Sequence, residues 1–250
     1  MFLPALAGPN KGKYFLLGTS IRCFKGTFEE QKAIFISRAV RPGEHCWDVG
    51  AHIGYMSMVM SGAIGPSGTV LSFEPNKANF QIAWQHLTKN CPNARIVSAA
   101  IWSQSTLARF TKSTKSLAGQ VGKDGDDIVA CLSIGEIVSA IKSGNLNLTL
   151  PTFLKVDVEG AELEILPELF RQIPTSDAIV ICSIDMDESL TMCKALAVEH
   201  NASIYLCAKF EHPDPYKTFG DAEVLFVGKD RTVPQDVLDV FLGIGKERVK

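Results

Sequence analysis

The 250-residue sequence has no surplus of charge of either sign: 25 lysines and arginines stand against 27 aspartates and glutamates, a formal net charge of −2. A chain so balanced carries no electrostatic footprint for a polyanion, and nucleic acid is not expected as a partner. No apolar run approaches the ~20 residues that cross a bilayer, so no membrane partner is expected either. The opening stretch MFLPALAGPNKGKYF lacks a basic n-region and is interrupted by Pro4, Pro9 and Asn10, a poor match to a secretory signal. The seven cysteines form no CxxC pair and share no spacing. Cys46, Cys182 and Cys207 lie inside strand-like runs, where buried free thiols of a reducing, cytoplasmic setting are expected. His45, His86, His200 and His212 show no HExxH or comparable spacing and read as structural or solvated residues rather than metal ligands. With no linker, internal repeat or low-complexity tract, one domain over residues 1–250 is expected, carrying an N-terminal helical extension to about residue 42. The oligomeric state stays open.

What is present is ordinary for a soluble globular chain: 46% hydrophobic and 21% charged residues, and length enough for a packed core. Thr27 and Glu30 have the spacing of a capping box at the head of TFEEQKAIFISRAV, with Pro42 and Gly43 ending that helix. Strand and helix signals then alternate. HCWDV (His45 to Val49) reads as a strand, followed by a glycine-bearing turn and a helical stretch from Ile53 to Ala63. Thr69 to Phe73 is the next strand, and Pro75 or Asn76 opens a helix on which Phe80, Ala83, Trp84 and Leu87 recur at helical spacing. Arg95 to Ile101 is a third strand. Residues 102–150 hold a short strand near Ala108 to Thr111, a polar loop through Gly125, and a strand-to-helix stretch from Ile128 to Ile141. Phe153 to Val158 is a strand and Ala161 to Leu166 a helix that Pro167 should kink or stop. Ala178 to Ile184, Ser203 to Ala208 and Glu223 to Val227 are further strands, with a helix from Ser189 to Val198. Helix-separated strands call for right-handed parallel crossovers, whereas the last two have no helix between them and suit an antiparallel pairing. The expected fold is α/β: a three-layer, doubly wound sheet of seven mostly parallel strands, the last antiparallel.

Ligands of such sheets bind outside the carboxyl ends of the strands. The loops there are DVGAHIG (48–54), FEPN (73–76), AAIWS (99–103), DVEG (157–160) and SIDMD (183–187), three of which carry acids directly at the strand end. Gly50 and Gly54 let the first turn approach a ligand closely, but their spacing is GxxxG, with His52 where a dinucleotide fingerprint has its second glycine. Asp48 stands two residues before Gly50, where it would repel a pyrophosphate at the helix N-terminus and attract a cationic sulfonium. Glu74, followed by Pro75, suits a bidentate acceptor for two ribose hydroxyls, a contact that nicotinamide and adenosylmethionine proteins both need. Together these residues favour S-adenosylmethionine over a nicotinamide dinucleotide. His52 reads as a loop residue lining the site.

DVGAHIGYMS, FEPN and LKVDVEGAELEIL resemble the three hallmark segments of the FkbM-like methyltransferases, class I enzymes of Rossmann-like fold that use S-adenosylmethionine. Many of them methylate hydroxyl oxygens of sugars or polyketides. The resemblance extends over roughly residues 28–227 and implies that Asp48, Gly50, His52, Ile53, Gly54, Glu74 and Pro75 hold the cofactor, with Ala100 and Ile101 near the adenine. It implies that Asp157 and Glu159 face the methyl-transfer site. This chain departs from the family pattern at His52, usually asparagine, and at Gly135, often aspartate. It also departs at CSIDMDE, which lacks the usual glutamate and offers Asp185 or Asp187 instead, and at Pro167.

In a strand Lys155, Asp157 and Glu159 project to one face, since side chains alternate with a period of two. Asp157 is the candidate general base or substrate orienter for a hydroxyl. Glu159 has a second use as a cap for the following helix, and Lys155 either pairs with an acid or touches substrate. Asp157, Glu159 and Asp185 also offer hard oxygens to a divalent ion, but no metal is assigned. The expected activity is O-methylation of a small metabolite in the cytoplasm. A nicotinamide-dependent oxidoreductase and a cofactor-binding protein without catalysis are the rivals.

Overall fold

In the computed structural model, which describes residues 1–112, 119–122, 125, 127–158, 160–185, 188–208 and 221–243, the chain forms a mixed α/β structure. Its contacts divide it into two units, Met1–Ser98 with Val233–Lys250, and Ala99–Thr232. The first begins with an antiparallel pair, β1 (Phe2–Pro4) and β2 (Tyr14–Leu16), so the segment before residue 42 holds strands as well as helices. Helices α1 (Ile21–Lys25) and α2 (Glu30–Ala39) follow, then β3 (His45–Val49), α3 (Tyr55–Ile64), β4 (Thr69–Phe73), α4 (Lys77–Asn90) and β5 (Ala94–Val97). In the second unit come β6 (Ala100–Trp102), β7 (Thr106–Lys112), β8 (Gly119–Gly122), β9 (Asp127–Ser133), α5 (Ile134–Lys142), β10 (Phe153–Val156), α6 (Glu162–Gln172), β11 (Ile179–Asp185), α7 (Glu188–Glu199), β12 (Ser203–Ala208) and β13 (Asp221–Val227). Helix α8 (Gln235–Leu242) returns to the first unit.

The main sheet has seven strands, mostly parallel. In the first unit β3 pairs with β4 and β4 with β5, both parallel. In the second the order is β12-β13-β11-β10, with β10 and β11 parallel and β13 antiparallel to both neighbours. Strands HCWDV and TVLSF are each buried at four of five positions, the near-continuous burial of parallel strands covered on both faces. Helix α3 is buried almost all round, from Tyr55 through Ser61 and again at Ile64, so it belongs to the core. A separate four-stranded sheet, β6-β9-β7-β8, packs Ala100, Phe110, Val129 and Cys131 into its own apolar cluster.

Several local expectations are corrected. No capping box forms at Thr27 and Glu30: Glu29 occupies the N-cap of α2 at φ 41 and its side chain pairs with Lys32 at 3.3 Å instead of capping the helix N–H groups. Thr27 is already engaged closing α1, its N–H donating to the Arg22 carbonyl at 2.9 Å beyond a left-handed Gly26. The run Arg95 to Ile101 is two strands in different sheets, β5 ending at Val97 and β6 beginning at Ala100. On α4 the buried positions are Asn79, Ala83, His86 and Leu87, while Trp84 is 53% exposed. Helix α6 runs through Pro167 to Gln172. The carbonyl that loses its partner there is that of Leu163, an exposed residue, and the buried face of Ile165, Leu166, Leu169 and Phe170 holds the helix together.

Gly135, on the first turn of α5, faces α6: a Cβ there would lie 3.2 Å from Glu168 Oε1 and 3.4 Å from Gln172 Nε2. The aspartate that the family resemblance implies there would bring one carboxylate toward another. Replacing Gly135 by Asp should therefore cost about 1–3 kcal/mol in chemical denaturation, whereas Gly135→Ala should stay within about 1 kcal/mol, helix propensity offsetting the tight contact. An aspartate variant as stable as the parent would remove the like-charge explanation.

Candidate active site

The first unit gathers Asp48, Gly50, His52, Ile53, Gly54, Glu74 and Pro75 at the carboxyl ends of β3 and β4. Asp48 is fully buried, its Oδ2 accepting the Ser57 hydroxyl at 2.5 Å, and Ser72 Oγ donates to Ser57 Oγ at 2.9 Å. A buried carboxylate needs such donors, since desolvation otherwise costs several kcal/mol. Above it the chain turns sharply: the N–H groups of Gly50 and Ala51 both donate to the Phe73 carbonyl at 3.0 and 2.9 Å, and Gly54 N–H donates to the Ala51 carbonyl at 2.8 Å. Gly50 (φ 79), His52 (φ 52) and Gly54 (φ 80) all take left-handed backbone. A Cβ at Gly54 would meet the Ala83 Cβ at 3.3 Å, so glycine there serves both the turn and the approach of α4. The His52 ring stacks on Phe28 at 6.5 Å.

Glu74 is 5% exposed and binds both loops: Oε2 accepts His52 N–H at 2.7 Å and Oε1 accepts Asn76 N–H at 2.8 Å. These are charge-assisted bonds. Asn76 in turn caps α4, its Oδ1 accepting from Ala78 and Asn79 N–H at 3.0 and 3.3 Å.

Sequence reading passed over Ser57 and Ser72, which a buried strand-end acid should have suggested. It also passed over His86. That imidazole, fully buried on α4, accepts Leu16 N–H at Nε2 (3.0 Å) and meets the Ile53 carbonyl at Nδ1 (2.8 Å). Burial lowers its pKa from the ordinary 6.5, against a smaller upward pull from the Ile53 bond.

In the second unit Lys155 is nearly fully buried and its Nζ lies 3.7 Å from Asp157 Oδ2, at a side chain 26% exposed. Glu159 and Asp187 lie outside the described residues. Ala161 is the N-cap of α6 without a side-chain bond; the nearby turn is closed by buried Glu162, whose Oε1 accepts Gly160 N–H at 3.2 Å. Val156 pairs with Cys182, so Asp157 and Ser183 each follow a paired residue. Ser183 lies opposite Glu223 and donates to its Oε1 at 3.0 Å. Ala100 and Ile101 are buried on β6, beside Cys131 and Leu132 of β9.

A mostly parallel seven-stranded α/β sheet with acids and a glycine turn at its strand ends is a Rossmann-like fold of the class I methyltransferase kind. The chain belongs to the FkbM methyltransferase family: the family profile described as "Methyltransferase FkbM domain" matches residues 48–214, more than half of the chain. The FkbM domain is S-adenosylmethionine-dependent. No curated protein matches the chain significantly. Among solved structures it is similar to precorrin-6y C5,15-methyltransferase from Geobacter metallireducens (14% identity, 80% of this chain and 88% of that chain, TM-score 0.49). It is similar too to a SAM-dependent O-methyltransferase from Thermotoga maritima (14% identity, 82% and 67%, TM-score 0.49). A third is Aeropyrum pernix fibrillarin in complex with natively bound S-adenosyl-L-methionine (13% identity, 79% and 77%, TM-score 0.48).

Two outcomes follow from the first unit's geometry. Ser57→Ala withdraws a donor from a buried carboxylate and should lower unfolding free energy by about 1–3 kcal/mol in urea titration; an unchanged midpoint would mean that Asp48 does not depend on that hydroxyl. His86 has a folded pKa below its unfolded value near 6.5, so its contribution is fully present above pH 6.5 and is lost as pH falls through the lowered folded value. Melting temperature should therefore drop on acidification below pH 6.5 more steeply in the parent than in His86→Gln, and parallel curves would exclude this linkage.

Proposed function

We propose that this chain binds S-adenosylmethionine at Asp48, Gly50, His52, Ile53, Gly54, Glu74 and Pro75 and transfers its methyl group to a hydroxyl oxygen of a small metabolite, a sugar or polyketide. The observation that carries the reading is Glu74: a carboxylate at the end of β4 with each oxygen anchored by one backbone N–H. So fixed, it suits a pair of vicinal hydroxyls. The residues present fit this cofactor better than a dinucleotide. Asp48 places an anion beneath the turn where a pyrophosphate would sit, and His52 puts a side chain where a phosphate needs a bare glycine. Membership of a methyltransferase family does not favour the oxidoreductase alternative.

Bound there, the cofactor supplies an electrophilic methyl group on a sulfonium. The chain's part is orientation and proton acceptance. Asp157, held by Lys155 and partly open to solvent, is the proposed acceptor for the hydroxyl proton as the oxygen takes the methyl group. Glu159 is proposed to serve the same chemistry, and Ala100 and Ile101 the adenine. The near-zero net charge supports a small acceptor over a nucleic acid, and seven free cysteines, six of them buried, support a reducing, cytoplasmic setting.

Calorimetry with S-adenosylmethionine, S-adenosylhomocysteine and NAD tests the cofactor, and turnover against a library of hydroxyl compounds tests the reaction. The first two should bind and NAD should not, with Glu74→Gln weakening both by roughly ten-fold. Asp157→Asn should lower kcat by roughly 10²–10⁴. Tight NAD binding would overturn the cofactor, and equal rates for parent and Asp157→Asn would remove that carboxylate from the chemistry. Binding without any turnover would favour a protein that holds the cofactor and does not react.

A further inference from the structure

We propose that His86 is a positioning residue for the cofactor turn, fixing the Ile53–Gly54 peptide through a single neutral tautomer that the N-terminal strand β2 selects. The inference rests on the assignment of residues 48–54 to the cofactor.

The Leu16 N–H can only donate, so Nε2 of His86, 3.0 Å away, must be an acceptor. The proton of the neutral ring is then on Nδ1, where it meets the Ile53 carbonyl at 2.8 Å. The other neutral tautomer would set N–H against N–H at Leu16 and leave the Ile53 carbonyl facing a lone pair. The imidazolium would keep the second bond and lose the first. The ring is fully buried, with Phe15 edge-on at 5.1 Å and Phe2 at 6.4 Å, and burial lowers its pKa in keeping with a neutral ring.

The acceptor is what makes this bond more than scaffolding. A peptide unit is planar, so the direction of the Ile53 carbonyl also sets the direction of the Gly54 N–H. That N–H closes the turn by donating to the Ala51 carbonyl at 2.8 Å. On the other side of Ile53, the N–H of His52 holds Glu74 Oε2. One imidazole thus orients the peptide that lies between the glycine closing the turn and the residue gripping the ribose acid. Two further side chains from the same N-terminal segment reach the helix that begins here: Asn10 Nδ2 donates to the Tyr55 carbonyl at 3.1 Å and Lys13 Nζ to the Met58 carbonyl. Strand β2 itself is kept in place one helical turn along α4, where Asn90 exchanges two bonds with Tyr14 at 2.7 and 2.8 Å.

Asn90 supplies the control, because it holds the same strand, and donates also to the His86 carbonyl at 2.7 Å and the Met58 sulfur at 3.5 Å, without bonding either the His86 ring or residues 48–54. Three variants are compared by amide hydrogen exchange at Gly50 to Gly54 without ligand and by calorimetry with S-adenosylmethionine: His86→Leu, His86→Gln and Asn90→Ala. His86→Leu should speed exchange at the turn and weaken the cofactor by about ten-fold or more; glutamine, which offers both a donor and an acceptor, should restore most of the affinity. Asn90→Ala should lower the melting temperature while changing affinity by no more than roughly two-fold, well short of the loss expected from a freed turn. A long-range proton–nitrogen spectrum of the parent protein at neutral pH should show hydrogen on Nδ1 and a bare Nε2. Hydrogen on Nε2, unchanged turn exchange in a folded His86→Leu protein, or an equal loss of affinity in Asn90→Ala would overturn the proposal. Should His86→Leu not fold, the tautomer and His86→Gln decide. A parent that fails to bind S-adenosylmethionine but shows the tautomer and the His86-dependent exchange would refute the cofactor assignment and leave the positioning role standing.

Discussion

A carboxylate that leaves water must find donors, and Glu74 finds them on two loops at once. The 2.7 Å bond from His52 N–H and the 2.8 Å bond from Asn76 N–H join the turn after β3 to the start of α4 through one side chain. Each bond is charge-assisted, and losing either would leave a nearly buried anion short of a partner, a larger penalty than a neutral hydrogen bond incurs. The rest of the first unit's site is compatible with this constraint and with little else. His52 presents its N–H to Glu74 from a left-handed backbone that costs a residue with a Cβ about 1–2 kcal/mol, and the glycines on either side of it at 50 and 54 take the same region without that cost. Local strain of this sort persists where surrounding bonds over-determine it.

What the sequence made legible was the part decided locally. Strand Thr69–Phe73 is found where its residues place it, and Asn76 caps α4 because an asparagine before a helix has one obvious use for its oxygen. Glu74 was readable as a strand-end acid, though not as a bridge, because its donors are backbone groups that carry no sequence signal. The failures have tertiary causes. Thr27 has the spacing of a cap but is consumed by the end of α1, and Pro167 has the chemistry of a helix breaker but sits on a helix whose other face is buried. An apolar run from Arg95 to Ile101 says nothing of the change of sheet within it. His86 read as an ordinary histidine because its two partners, at Leu16 and Ile53, are distant in sequence and both belong to the main chain.

In the second unit an acid is set beside a strand end from another strand. CSIDMDE has no glutamate at the end of β11, and Asp185 or Asp187 was the natural substitute. Asp185 pairs with Asp221 in the ladder, and Asp187 lies outside the described residues. A buried acid nevertheless reaches β11, because the antiparallel return of β13 sets Glu223 opposite Ser183 and their side chains bond. Only pairing register reveals this, and register between strands separated by some forty residues of chain is not written in either strand alone. Gly135 teaches the converse: the acid that the family resemblance implies at that position would approach Glu168 on the neighbouring helix.

Acids at strand ends are costly to take out of water, and Asp157, about a quarter exposed, is held differently from the buried Asp48 and Glu74. Asp48 and Glu74 accept from hydroxyl and backbone donors, which carry no formal charge. Asp157 is held by an ammonium, which offsets its charge locally. The contrast has a chemical consequence. On the proposed reading, an anion held by dipoles would attract a sulfonium, whereas one beside an ammonium would present an oxygen to a hydroxyl.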